Sequence, residues 1–450
     1  MAAVDSAFGR DFQLPPVNLL RFHFRKAPGP FPLRKAMAKR FAARAGFVSG
    51  AIAITGSCAL AQEALFRSVD SDRFAAQSRD SLEKTPYTFR LRELRVLVVP
   101  TMGLEWNDNV RLTESARESD LILSPRLDLN ALHPLGEGNS LGVNVGIGYS
   151  KYLENDDLDQ LLVTPGSALS LNMAVGDVQI NVHDRLTYQL DPTAVGAVSG
   201  TGRFGGIDNS AGASISWNLH RITTSLGYDF LKWIATDSEF SYLDRSSHQV
   251  LARIGVQAYP NLMVGTEATA SPSTYDDSYL NDNTSYSVGG YLDWQLTDQM
   301  HLAPRGGYSL TTFSASPVLG TPDDYGAFYF GLKLDHRPNE TVAYNLSVDR
   351  QIRPGVDANL TDTLNTTLSA TWSFIRHFPF NTAVYYEHGK QGGGGLSEIW
   401  DRFGGSVGVS YEFTRSLNTS VAYTFTFRDS KLADRDYTQN RVTLTLAYRL

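Results

Sequence analysis

Thiols are almost missing from this chain: 450 residues carry one cysteine, Cys58. A disulfide framework and a Cys/His metal cluster are therefore excluded. Uninterrupted apolar runs of about 18 residues, the length a transmembrane helix needs, are also missing beyond the N-terminal region. A basic excess is absent too. The formal net charge is −7, so nucleic acid is not an expected partner. The sequence contains no Gly-x-Ser-x-Gly elbow and no His-Glu-x-x-His pair, which removes the commonest hydrolase signatures. Present instead are abundant Gly, Ser, Thr, Asn and Tyr around an ordinary hydrophobic fraction of 42%.

The N-terminal region reads as a targeting element. Lys39-Arg40-Phe41-Ala42-Ala43-Arg44 is a basic start, Phe47 to Leu60 is a short apolar stretch, and Ala59-Leu60-Ala61 is a small-x-small cleavage pattern. Residues 37–61 are thus expected to be a secretory signal peptide, with Met37 as the true start. Residues 1–36, with Pro15-Pro16, Pro28, Pro30 and Pro32, are expected to be a mis-annotated or disordered extension. Cys58 after Thr55-Gly56-Ser57 leaves lipidation as an alternative. Residues 62–92 are charged and lack long apolar faces, and are expected to form a periplasmic segment.

From about Glu93 onward the pattern has period two, the mark of half-buried strands. Val442, Leu444, Leu446, Tyr448 and Leu450 share one face, and Arg441, Thr443, Thr445, Ala447 and Arg449 the other. In 417–428, Leu417, Val421, Tyr423, Phe425 and Phe427 oppose Asn418, Ser420, Thr424, Thr426 and Arg428. In 141–150, Leu141, Val143, Val145, Ile147 and Tyr149 oppose Asn144, Gly146, Gly148 and Ser150. About eighteen such segments are expected, including 93–106, 121–133, 159–173, 176–190, 377–390 and 437–450. In 176–190, Asp184 shares a face with Val182 and Leu186, and a bulge near His183 is expected to turn it inward.

The connections alternate in length. Asn218-Leu219-His220-Arg221, Tyr259-Pro260-Asn261-Leu262 and Phe413-Thr414-Arg415-Ser416 are short; 191–206, 236–245, 314–324 and 429–436 are long. Outer-membrane barrels have short periplasmic turns and long external loops. In lipid every backbone N–H and C=O must be paired, so a sheet there closes on itself. The expected fold is all-β: a transmembrane antiparallel up-and-down barrel over 93–450, in the bacterial outer membrane, with both termini periplasmic. Aromatics near segment ends, such as Trp106, Trp294, Trp372, Phe374, Tyr411 and Phe413, suit interfacial girdles.

The stretch Glu105-Trp106-Asn107-Asp108-Asn109-Val110, followed by Ser119-Asp120 and Ser124-Pro125, resembles the start of the putative beta-barrel porin 2 family. The resemblance implies an outer-membrane barrel, with some members linked to exopolysaccharide production and export. One departure is the terminal Leu450, where many outer-membrane proteins end in an aromatic.

If the apolar faces meet lipid, the lumen is lined by Arg126, Asp128, Arg185, Arg253, Glu267, Asp293, Arg305, Lys333, Asp335, Asp349, Arg402, Arg441 and Arg449. Mixed signs suit a weakly selective, hydrated pore or a lumen knitted by ion pairs. The acidic segments 153–157, 275–278 and 281–283 lack EF-hand spacing and are expected to be solvated loops; Gln391 to Gly395 is expected to be a flexible external loop. No cofactor, metal or catalytic residue is expected. The leading function is a porin-like passive conduit, with polysaccharide or small hydrophilic solutes as cargo. The alternatives are a closed structural barrel holding polysaccharide on its loops, and a barrel lipase. Outer-membrane lipid and the barrel-insertion machinery, reading the C-terminal strand, are the other expected partners. The mature protein is expected to begin at Gln62; N-terminal sequencing of protein purified from outer membranes checks this, and a start upstream of Met37 contradicts it.

Overall fold

The computed structural model describes residues 87–450, apart from Glu137 and Arg376. The expected extension, signal peptide and most of the periplasmic segment lie outside the described residues.

In chain order the strands are β1 (Phe89–Leu91), β2 (Leu94–Asn107), β3 (Asp120–Gly136), β4 (Asn139–Tyr152), β5 (Gln160–Val163), β6 (Ala168–Val175), β7 (Val178–Leu190), β8 (Gly205–Leu219), β9 (Ile222–Ala235) and β10 (Arg245–Tyr259). There follow β11 (Leu262–Tyr275), β12 (Asn283–Thr297), β13 (Met300–Phe313), β14 (Tyr325–Asn339), β15 (Val342–Pro354), β16 (Ala358–Ile375), β17 (Phe378–Gly395), β18 (Glu398–Glu412), β19 (Leu417–Ser430) and β20 (Tyr437–Tyr448). All belong to one antiparallel sheet of 20 strands. β5 and β6 lie end to end between β4 and β7 and act as one wall strand. Setting β1 aside and merging that pair leaves the expected eighteen.

The split of the expected 159–173 strand has a local cause. Pro165 has no N–H for the ladder. Ser167 repairs the break: its hydroxyl accepts from Gly146 N–H at 3.0 Å, and its carbonyl accepts from Leu186 N–H at 3.0 Å.

The ring closes where β2 meets β20, from Thr101↔Ala447 to Asn107↔Arg441. The Glu105-Trp106-Asn107-Asp108-Asn109 run stitches this seam. Thr443 Oγ1 donates to Glu105 at 3.1 Å, and Asn440 donates twice to the Asp108 carboxylate at 2.6 Å. Asn109 is fully buried and donates to Thr438 O and Thr113 O, while Gln439 donates to its carbonyl. Trp106 points outward. At the other end, β2 runs past β20, and β1 pairs with its overhang through Leu91↔Leu94 to Phe89↔Val96. A free strand edge is covered there.

The outer face is largely apolar: Val288, Phe328, Val384, Val407 and Leu446 are all exposed. Aromatics gather at the short-turn end, with Phe378 stacked on Tyr411 at 4.4 Å and Tyr411 edge-on to Phe413 at 4.6 Å. The expected bulge near His183 is not formed. The register of β7 with β8 runs unbroken from Val182↔Ala213 through Asp184↔Ala211 to Leu186↔Asn209. Asp184 therefore stays on the outer face, where Asn209 Nδ2 donates to it at 2.6 Å. A partnered carboxylate costs less in lipid than a bare one, so the ladder keeps its regular geometry.

The Gly-rich segment differs as well. It is not a free loop: β17 continues through Gly395, which pairs with Ala358. Gly393, Gly394 and Gly395 have φ of 80°, 97° and 83°, a region that favours glycine, and Asn359 Nδ2 donates to Gly393 O at 2.6 Å. Replacing Asn109 by Ala removes the central link of the closing seam and leaves buried backbone groups unpaired. A loss of roughly 1–3 kcal/mol is expected, seen as a lower urea midpoint of the refolded barrel in detergent micelles.

Candidate functional site

The inner face is the one opposite the exposed apolar side chains. Much of it is small and hydroxylated: Ser210, Ser214, Ser216, Ser225, Ser247, Ser273, Thr424 and Thr426 all turn inward. Hydroxyl pairs link neighbouring strands, as between Ser247 and Ser273 at 2.7 Å and Ser216 and Ser225 at 2.9 Å.

The charged residues read from the sequence fall into groups on this face. Arg126 and Asp128 pair with each other at 2.9 Å. Arg185 lies 3.8 Å from the Asp229 carboxylate, whose other oxygen holds His183 Nε2 at 2.9 Å. Arg253 sits opposite Glu267 at 3.5 Å and stacks on Tyr291 at 3.9 Å, and Tyr329 donates to Glu267 at 3.2 Å. His301 bridges Asp293 at 3.0 Å and Asp335 at 3.6 Å. Arg305 is cross-strand from Gly331, Lys333 from Ser347, and Asp349 accepts from Asn365 at 3.4 Å. Arg441 lies between Asn107 and Thr424 at the seam. Arg449 is beyond the last strand, where its N–H donates to Ser416 O. These groups are spread around the ring rather than gathered in one centre.

Arg402 belongs to a denser arrangement that sequence reading missed. The connection 191–204 does not project outward. It folds into the barrel and reaches the wall on the far side of the ring. Arg402 donates to Thr193 O at 2.6 Å and pairs with Glu387 at 2.8 Å. Arg428 donates to Gly196 O at 2.7 Å and pairs with Glu398 at 2.6 Å, both side chains with 0% exposure. Arg435 joins Glu398 to Asp357 at 2.9 Å each. Glu387 also accepts from Trp400 Nε1 at 2.8 Å. A Cβ at Gly196 would lie 1.6 Å from the Glu387 carboxylate, so only glycine fits this approach.

Above these ion pairs the loops share an apolar core of their own. Ala197, Val198, Phe204, Trp233, Val356 and Trp400 are buried together, with Phe204 edge-on to Phe240 at 5.1 Å. The signal was present in the sequence. Ala194-Val195-Gly196-Ala197-Val198 is too apolar for a solvated loop. The acidic loops are also engaged. Arg111 donates to Glu118 at 2.7 Å and to Asp157 at 2.9 Å, and that hydrogen bond foremost holds the Asp157 carboxyl below its usual range. Burial pushes the Tyr242 phenol up. No group of three or more His, Cys, Asp or Glu suited to a metal ion occurs among the described residues.

A closed barrel with an apolar outer face and a polar inner one is a porin-like outer-membrane barrel. The chain belongs to the putative beta-barrel porin 2 family, whose model matches residues 98–450. No curated protein matches it. Solved structures similar to it include Pseudomonas aeruginosa OccK11 (OpdR), at 12% identity and a TM-score of 0.43, covering 80% of this chain and 97% of that one. Others are P. aeruginosa OccK2 (OpdF) in complex with glucuronate (13%, TM-score 0.45, 80% and 99% covered) and Acinetobacter baumannii OccAB3 (9%, 0.45, 80% and 100%).

Replacing Arg428 by Ala leaves the buried Glu398 carboxylate with Arg435 and Ser430 and removes an anchor of the 191–204 loop. Breaking one half of a buried pair costs about 3–5 kcal/mol. The expected outcome is cleavage at Arg203 or Phe204 by trypsin or chymotrypsin in the variant, with the parent resistant; equal resistance of both contradicts the docking.

Proposed function

We propose that this barrel is a passive conduit of the outer membrane, with its termini and short turns on the periplasmic side and its long connections outside. The observation that carries this reading is the inner face of glycine and small hydroxyl side chains with paired charges of both signs. Such a surface holds water and offers hydrogen bonds without a single-sign ring, which suits neutral hydrophilic solutes. The residues Arg126, Asp128, Arg185, Arg253, Glu267, Asp293, Arg305, Lys333, Asp335, Asp349, Arg402 and Arg441 then line the path. Ion pairs lower their cost in the lumen and leave little net field.

In this reading the folded-in 191–204 loop is the constriction, and Arg402 and Arg428 set its position. Polysaccharide is the cargo we favour on the family's association with exopolysaccharide export, and the hydroxyl-rich wall is compatible with it. The insertion machinery reads the last strand, which keeps its alternation up to Tyr448.

A second reading is favoured by the apolar loop core: a closed barrel whose external loops hold polysaccharide. Planar-bilayer recording separates the two. The conduit is expected to conduct, and removal of Val195 to Val198 is expected to raise its conductance severalfold. Parent protein and loop variant that both stay silent after verified insertion contradict the conduit and favour the closed barrel.

A further inference from the structure

The wall is not laddered along its whole height. β14 and β15 pair from Asn339↔Val342 only up to Phe330↔Arg350. Above that level, Tyr325 to Tyr329 pair with β13, and Gln351 to Pro354 pair with β16. Among the described residues no pairing joins these two edges. The sheet is thus parted at the long-loop end of the β14–β15 junction.

The β15–β16 hairpin leans inward from this seam. Asn359 exchanges hydrogen bonds with Asn281 at 2.8 Å, and Val356 is buried in the loop core. The lean has a consequence for one face of β15. By alternation, Ile352 and Pro354 continue the surface of Leu346 and Val348, which meets lipid lower down. Yet Ile352, Pro354 and their neighbour Leu360 line an interior cavity with Thr269, Ser287 and Ser309 of the inner wall. Leu360 is buried, and both it and Phe313, at the long-loop end of β13, lie against Gly393. This face of β15 therefore runs from Leu346 and Val348, past Arg350 at the seam, to Ile352 and Pro354 in a hydroxyl-lined chamber that also holds Arg245 and Arg353.

The threshold is marked by a polar latch. Arg350 donates to both oxygens of Asp362, at 3.1 and 2.7 Å, and Tyr325 donates to the same carboxylate at 2.8 Å. These three residues come from β14, β15 and β16 and span the gap. Exposed Phe328 and Phe330 flank it, the side chains expected at headgroup depth. Backbone without ladder partners is not stable against lipid, so a parted wall there calls for an occupant or a latch.

We propose that the β14–β15 seam is a lateral doorway between the lumen and the leaflet at the long-loop end, used by an amphiphile with a hydroxyl-rich head and an acyl tail. The head sits among the Ser and Thr hydroxyls and Arg353 of the chamber, and the tail lies along Ile352, Pro354 and Leu360. The Tyr325–Arg350–Asp362 latch closes the doorway when it is empty. This route is separate from axial conduction through the lumen.

The test uses full-length protein carrying Cys58→Ser in proteoliposomes, with a photoactivatable long-chain alkyl glucoside as probe and its tail-less glucoside as control. Labelling of 352–360 by the long-chain probe is expected. It should be lost when F328C/I352C, which extends the Phe330↔Arg350 register, is joined by a short thiol crosslinker. The tail-less control and the ion conductance should stay unchanged. R350A/D362A, which opens the latch and leaves the ladder intact, should increase long-chain labelling. Labelling confined to the outer band, labelling indifferent to the crosslink, equal loss of both probes, or no gain in R350A/D362A would each overturn the doorway. Loss of conductance in the parent bears on the axial conduit alone.

Discussion

A backbone that crosses lipid has nowhere to place an unpaired N–H or C=O, and the rest of this molecule follows from that constraint. It forces the first and last wall strands together, across more than three hundred residues of chain. The seam is correspondingly reinforced. Asp108 and Asn109 hold Asn440, Gln439 and Thr438 with side-chain hydrogen bonds, in addition to the ladder. The run that carries the family resemblance thus has a structural task, ring closure. Its polar residues are engaged in that task.

The same constraint explains how irregularities are handled. Pro165 interrupts a wall strand, and Ser167 supplies the missing bonds. Asp184 reaches the outer face, and Asn209 partners it instead of the backbone bulging. In both cases the ladder is kept and a side chain absorbs the difference, because a lost ladder bond in lipid costs more than a local polar contact. The β14–β15 seam is the place where this economy stops, and there a three-residue latch spans the parted edges.

Inside the barrel different physics rules. The connections at the long-loop end have enough apolar residues to make a small core, but only if they turn into the lumen. Phe204, Val198 and Val356 then meet Trp233 and Trp400 of opposite walls. The buried Arg428–Glu398 and Arg402–Glu387 pairs fix the loop with short, charge-assisted bonds. Such pairs contribute little net stability, yet leaving either partner alone is costly, so they specify one loop position. That position sets the bore of the proposed conduit.

The strands, their faces and the closed barrel were legible in the sequence, because period-two alternation is local and each face is written by neighbours two apart. The inner placement of Arg253, Glu267 or Asp335 follows from the same parity. The 191–204 loop was another matter. Its anchor, Arg428, stands 232 residues away from Gly196, and no local pattern pairs them. Nor could parity show that Ile352 turns from lipid to lumen, since the turn comes from the lean of a whole hairpin. Residue order alone sets which side of each strand is polar. Where the loops go, which charges meet and where the wall parts emerge with the closed ring, because they depend on contacts across it.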